Sequence, residues 1–294
     1  KLTIGATFLL LLIGGTVNPT GSSLACPEPT LVCHGELFPE MTGGVLYEHG
    51  HRLAGMTVGL LQIALTVLLW RRRRDLRWLG VGALALVIVQ GTLGALTVAF
   101  KLPWAISTLH LLVAQLYIGL LIFIAFRTRE ATAATASAQE RVSRLTSWIT
   151  VSAGLVLAQI VLGGLMRHNG GALASLDFPL HQGSLWPTDA PVALQLHMAH
   201  RWVGVLVGLF AMAVAGAVFR QARGWTSMRL MAAATPVLIA VQVLLGSLTI
   251  LYLRPVSVVV AHFTIGVGLW ITWFTMVLMA RRARVSTLGA GERA

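Results

Sequence analysis

Long apolar runs separated by short polar segments make up most of this chain. Eight of them approach the ~20 residues that a helix needs to cross a bilayer core: 2–18, 44–70, 78–100, 104–126, 147–166, 193–219, 230–252 and 256–280. The pattern predicts an all-α integral membrane protein with eight transmembrane helices. Between the fourth and fifth runs, residues 128–146 are rich in Ala, Thr, Ser and Glu and read as a polar linker. It separates an N-terminal half, 1–127, from a C-terminal half, 147–294. The halves repeat one another. Gln90-Gly91-Thr92-Leu93-Gly94 in the third run returns as Gln242-Val243-Leu244-Leu245-Gly246 in the seventh, and Gly14-Gly15 returns as Gly163-Gly164. Repeats with an even number of spans run parallel about an axis along the membrane normal. The expected architecture is therefore two pseudo-symmetric four-helix bundles.

Composition agrees with a membrane setting: 56% of residues are hydrophobic and only 11% charged, against about 25% charged in soluble domains. The net charge of +12 would suit nucleic acid, but its distribution excludes that class. Arginines cluster after every second apolar run: Arg71, Arg72, Arg73, Arg74 and Arg77; Arg127, Arg129, Arg141 and Arg144; Arg220, Arg223 and Arg229; Arg281, Arg282 and Arg284. The opposite connections hold only Lys101, Arg167 and Arg254. By the positive-inside rule both termini and the linker are cytoplasmic, and the long connections 19–43 and 167–192 face outward. The location is a cell (inner) membrane. Lys1 and Ser23-Leu24-Ala25 ahead of Cys26 give the first run the look of a signal peptide. A lipoprotein box wants Leu where Ser23 stands, so the run reads as an uncleaved span.

Ionisable residues inside membrane spans are costly and mark function. Four histidines lie inside predicted spans, His51, His110, His200 and His262, one in each even-numbered run. Each falls some seven residues past the outer boundary of its span, roughly 10 Å deep at 1.5 Å per residue. A lone histidine serves a helix–helix hydrogen bond; four at matched depth in a duplicated frame are better explained as ligands. Cofactor sites in bundles come from facing helices, and paired histidines suit haem iron. Zinc wants more protein ligands per site, and Met166 and Met198 are not spaced as a copper box.

The halves differ beside these ligands. Tyr47-Glu48-His49-Gly50-His51-Arg52 opens the second run and His197-Met198-Ala199-His200-Arg201 the sixth. Glu48 sits one turn before His51 on the same helix face, where the other half has His197. Arg52 and Arg201 suit haem propionates, and Arg52 also suits an i,i+4 ion pair with Glu48 that cancels charge. His49 points away from His51, and His34, His168 and His181 read as solvated loop residues. Cys26 and Cys33 share the first outer loop, an oxidising setting that favours a disulfide, as a loop staple or as a redox pair.

These features resemble the haem A synthase family over essentially the whole chain. The resemblance rests on eight spans, a histidine in every even span, Glu48-x-x-His51-Arg52, the Cys26 and Cys33 loop, Asp177-Phe178-Pro179-Leu180, and the Gly-Gly pairs. It implies an oxidoreductase of haem A biosynthesis, serving haem-copper terminal oxidases. The enzyme would oxidise the C8 methyl of haem O to a formyl group with water as oxygen source. It also implies that His51 and His110 hold the substrate haem O or product haem A, that His200 and His262 hold a haem b, that Glu48 is the essential carboxylate, and that the cysteines take part in electron transfer or loop stability. Implied partners are membrane lipid, a haem O synthase upstream, an electron acceptor and further copies of the chain. Two features depart from the family: Ser175 and His181 stand where some members carry a second cysteine pair, and Asn18 stands where the other half has Arg167. The rival readings are a di-haem b cytochrome passing electrons between a quinone and an outer partner, and a haem carrier.

Overall fold

A computed structural model describes residues 1–129 and 133–291, the side chains of 286–291 excepted. Nine α-helices occur among the described residues: α1 Leu2–Val17, α2 Gly43–Arg72, α3 Arg77–Ala99, α4 Trp104–Arg127, α5 Ala136–Ser143, α6 Thr146–His168, α7 Val192–Gln221, α8 Thr226–Leu251 and α9 Val256–Gly291. Seven of them, α2, α3, α4, α6, α7, α8 and α9 over Val256–Val285, are long and apolar enough to cross a membrane. The eighth expected span, α1, is apolar but has 16 residues. Helix ends fall where the apolar runs end, at Arg71 and Arg72, at Pro103 before α4, and at Pro191 before α7.

The linker is not wholly irregular. Residues 130–132 of it, and 292–294 of the expected C-terminal half, lie outside the described residues. Within the rest, α5 forms because the Thr135 hydroxyl caps it, accepting from the Ala138 N–H at 3.2 Å. Ala138 and Val142, one turn apart, are fully buried and turn the helix onto α7 and α9. Arg141 then donates to the carbonyls of Gln221 and Arg223, each at 3.0 Å, closing the end of α7. Reading 128–146 by composition alone missed this helix, because two apolar side chains suffice to dock eight residues.

Consecutive helices pack in sequence from α1 to α4 and again from α6 to α9, and α9 also packs on α6. The two groups meet through α1 and α4 against α6 and α9. Glycines set the closeness of that seam. A Cβ on Gly15 would stand 3.1 Å from Phe263 of α9, and one on Gly164 would overlap the Leu111 side chain of α4. Trp270 of α9 donates its indole N–H to the Gln115 carbonyl of α4 at 3.1 Å, satisfying a buried donor across the seam. The larger of two buried apolar clusters lies mainly among α5 to α9, around Trp273, Met228, Met276 and Ile149, and takes in Ile118 of α4.

Candidate functional site

Each of the four expected histidines faces a glycine on the preceding helix. A Cβ on Gly14 would stand 2.7 Å from Cε1 of His51, and one on Gly163 would stand 2.7 Å from Cε1 of His200. For Gly94 and His110 the distance is 3.3 Å, and for Gly246 and His262 it is 3.2 Å. The Gly-Gly pairs therefore have two duties: the first residue clears an imidazole and the second clears the seam. Glutamines accompany three of the glycines at one-turn spacing. Gln90 and Gln242 place Nε2 3.2 and 3.3 Å from Nε2 of His110 and His262. Gln159 places its amide nitrogen 3.0 Å from Nδ1 of His200 and donates to the His200 carbonyl at 2.7 Å. Gln159 was missed in the sequence, although Gln159-x-x-x-Gly163 has the same spacing as the two motifs that were seen.

The His200 and His262 rings are 6.4 Å apart, centre to centre. Metal–imidazole bonds run to about 2 Å and the ring centre lies roughly 1 Å beyond the nitrogen, so two rings on opposite sides of one metal ion sit about 6 Å apart. The observed separation fits that arrangement. Beside the rings is a cavity of about 310 Å³ lined by Met166, Arg167, Arg201, Arg254, His197 and Phe263 among others. Arg254 enters from a tight turn in which Leu253 and Arg254 both have positive φ, 54° and 66°, and it also donates to the Asn18 side chain at 3.1 Å. Arg167 and Arg254 carry positive charge to this cavity, as an acidic ligand would require.

The residues next to His51 and His200 hold the two long loops. Arg52 donates to the carbonyls of Cys26, Glu28, Thr30 and Val32 at 2.5–3.1 Å. Arg201 does the same to Ser175, Asp177, Pro179 and Leu180 at 2.7–3.5 Å. Arg52 also pairs with Glu48 at 2.6 Å, so the expected i,i+4 ion pair is present. The second oxygen of buried Glu48 accepts the Cys26 N–H at 2.9 Å. At the matching position in α7, the imidazole N–H of His197 donates to the Gly171 carbonyl.

Cys26 and Cys33 form a buried disulfide, with sulfurs 2.02 Å apart. In the other loop the corresponding cross-link is a hydrogen bond of 3.0 Å between Ser175 and His181. His49 is fully buried and donates from Nε2 to the Leu37 carbonyl at 3.0 Å, so it holds the loop rather than joining His51. His34 is exposed, as expected of a loop residue, whereas His168 is half-buried at the end of α6, 3.3 Å from Arg167.

Fold and site define a helical membrane protein that presents paired, glycine-backed histidines between its helices. The family model described as cytochrome oxidase assembly protein (COX15-CtaA) matches residues 1–274. Proteins named Heme A synthase are similar along most of their length. The one from Alkalihalophilus pseudofirmus is 31% identical over 71% of this chain and 71% of its own. That of Bacillus licheniformis is 28% identical over 71% and 70%, and that of Bacillus cereus 24% identical over 97% and 93%. The chain belongs to the haem A synthase family.

Proposed function

We propose that this oxidoreductase of haem A biosynthesis converts the C8 methyl of haem O to the formyl group of haem A, with water as the oxygen source. In this reading the chain has eight spans in two related four-helix halves, both termini in the cytoplasm and the two long loops outside. His51 and His110 hold the substrate haem. His200 and His262 hold a resident haem b, with Arg167 and Arg254 placed for its propionates. The 6.4 Å ring separation of the second pair supports that ligation. A resident haem held by His200 and His262 would supply a one-electron acceptor. Lipid surrounds both halves, and an acceptor of unidentified chemistry takes the electrons onward.

The observation that carries the reading is the difference between Glu48 and His197, since the two ligand helices otherwise match. Oxidising a methyl conjugated to a porphyrin develops positive charge, which a buried carboxylate one turn from the ligand stabilises. The same carboxylate accepts a proton from the attacking water. Its bonds to Arg52 and to the Cys26 N–H hold it in place on the loop side of His51. Glu48→Gln is expected to stall conversion, so that purified protein carries haem O and haem b but little haem A. Normal haem A accumulation in that variant would leave Glu48 as a loop clamp and favour a di-haem cytochrome.

A further inference from the structure

His51 and His200 occupy matching places, yet only one is held by a side chain. Nδ1 of His200 meets the Gln159 amide at 3.0 Å, whereas Nδ1 of His51 is buried and has no hydrogen-bond partner among the described residues. The difference traces to one position. Gln159 stands one turn before Gly163, the glycine against His200, and Leu10 stands one turn before Gly14, the glycine against His51. An amide presents both a donor and an acceptor and can hold an imidazole in either tautomer; a leucine can do neither. The other pair differs in the same sense: Gln90 and Gln242 meet Nε2 of His110 and His262 alike, but Nδ1 of His110 has no hydrogen-bond partner among the described residues, whereas the Nδ1–H of His262 donates to the Gln242 backbone carbonyl at 3.1 Å.

A hydrogen bond to the outer ring nitrogen fixes the orientation and basicity of a ligand histidine, and its removal costs about 10–100-fold in metal affinity. We propose that Gln159 is a positioning residue that locks His200, and that Leu10 leaves His51 unlocked, so that the second-half haem stays while the first-half haem exchanges. The inference rests on the two-haem reading above. An enzyme whose substrate and product are both haems must release one of them on every turnover. A ligand held as tightly as His200 would oppose that release.

The test is haem transfer from the purified, pigment-loaded protein to excess apomyoglobin, with b-type haem followed separately from O- and A-type haem. In the unmodified protein the O- and A-type pigment is expected to leave first. Gln159→Leu should speed loss of haem b about 10–100-fold with helix content unchanged by circular dichroism. Gln159→Glu, whose carboxylate accepts an N–H from Nδ1 of His200, should restore retention and lower the midpoint potential of that haem. Leu10→Gln should slow release of the O- and A-type pigment. If Leu10→Gln does not fold, the Gln159 variants decide alone. Release of haem b from Gln159→Leu at the parental rate, or unchanged release from folded Leu10→Gln, would overturn the proposal. Finding no O- or A-type pigment while Gln159→Leu still sheds haem b faster would instead overturn the haem A reading and support the role of Gln159.

Discussion

The loops at 19–42 and 169–191 are closed by one device and cross-linked by two. In both, the arginine that follows His51 or His200 spends its guanidinium on four backbone carbonyls. In both, an acidic side chain accepts backbone N–H groups at the next turn: Glu28 from His34 and Gly35, and Asp177 from Gln182. The cross-link, however, is a disulfide in one and the Ser175–His181 hydrogen bond in the other. The arginine clamp is thus what the loop fold requires, because it satisfies carbonyls that a compact loop would otherwise leave without partners. The cross-link and the carboxylate above it differ between the loops, and it is there that a specialised role for the first loop belongs.

The comparison breaks most severely at the glycines. Gly163→Val puts branched carbon where a Cβ alone would already stand 2.7 Å from His200, and it should abolish pigment bound by the His200 and His262 pair. Gly246→Ala, with 3.2 Å to His262, should weaken that pigment without removing it. Haem content of the purified variants by pyridine haemochrome separates the two outcomes.

A smaller effect distinguishes the cross-links. Cys26→Ser opens a disulfide spanning seven positions, which should lower stability by about 2–3 kcal/mol in the chain-entropy account. Ser175→Ala removes one hydrogen bond and should cost about 1 kcal/mol. Thermal unfolding followed by loop proteolysis measures both. Equal losses would mean that the disulfide does no more for its loop than a hydrogen bond does.

The smallest effect is a pH dependence of the first loop. Hydrogen bonds from its own backbone N–H and from those of His34 and Gly35 hold the Glu28 carboxyl below its ordinary value of 4.5. Its contribution is therefore present above pH 4.5 and lost as the pH falls through the lowered value. Exchange protection of the His34 and Gly35 amides should fall only under acid conditions, and Glu28→Gln should remove that dependence.

Much of this arrangement was legible in the apolar pattern. Seven of the eight expected spans, the four histidines and the Gly-Gly pairs all follow from runs and repeats, because membrane burial leaves few places for polar residues. The Arg52 and Arg201 clamps were not legible as clamps, since their partners are carbonyl groups that every residue carries. Gln159 was overlooked because its counterpart, Leu10, breaks the repeat at that position. The helix α5 escaped because Ala138 and Val142 are too few to stand out in a polar stretch. His49 was correctly separated from His51 by helical phase, but its bond to Leu37 depends on a loop path that no local pattern records.

The central claim is that the His51 and His110 pair holds a haem that is changed while the His200 and His262 pair holds one that is not. Pigment extracted from the parent protein and from His51→Ala and His200→Ala tests it directly. The account predicts haem b together with O- or A-type haem in the parent, only haem b in His51→Ala, and O-type haem without haem b in His200→Ala. Two equivalents of haem b in the parent, one lost in each variant, would contradict it.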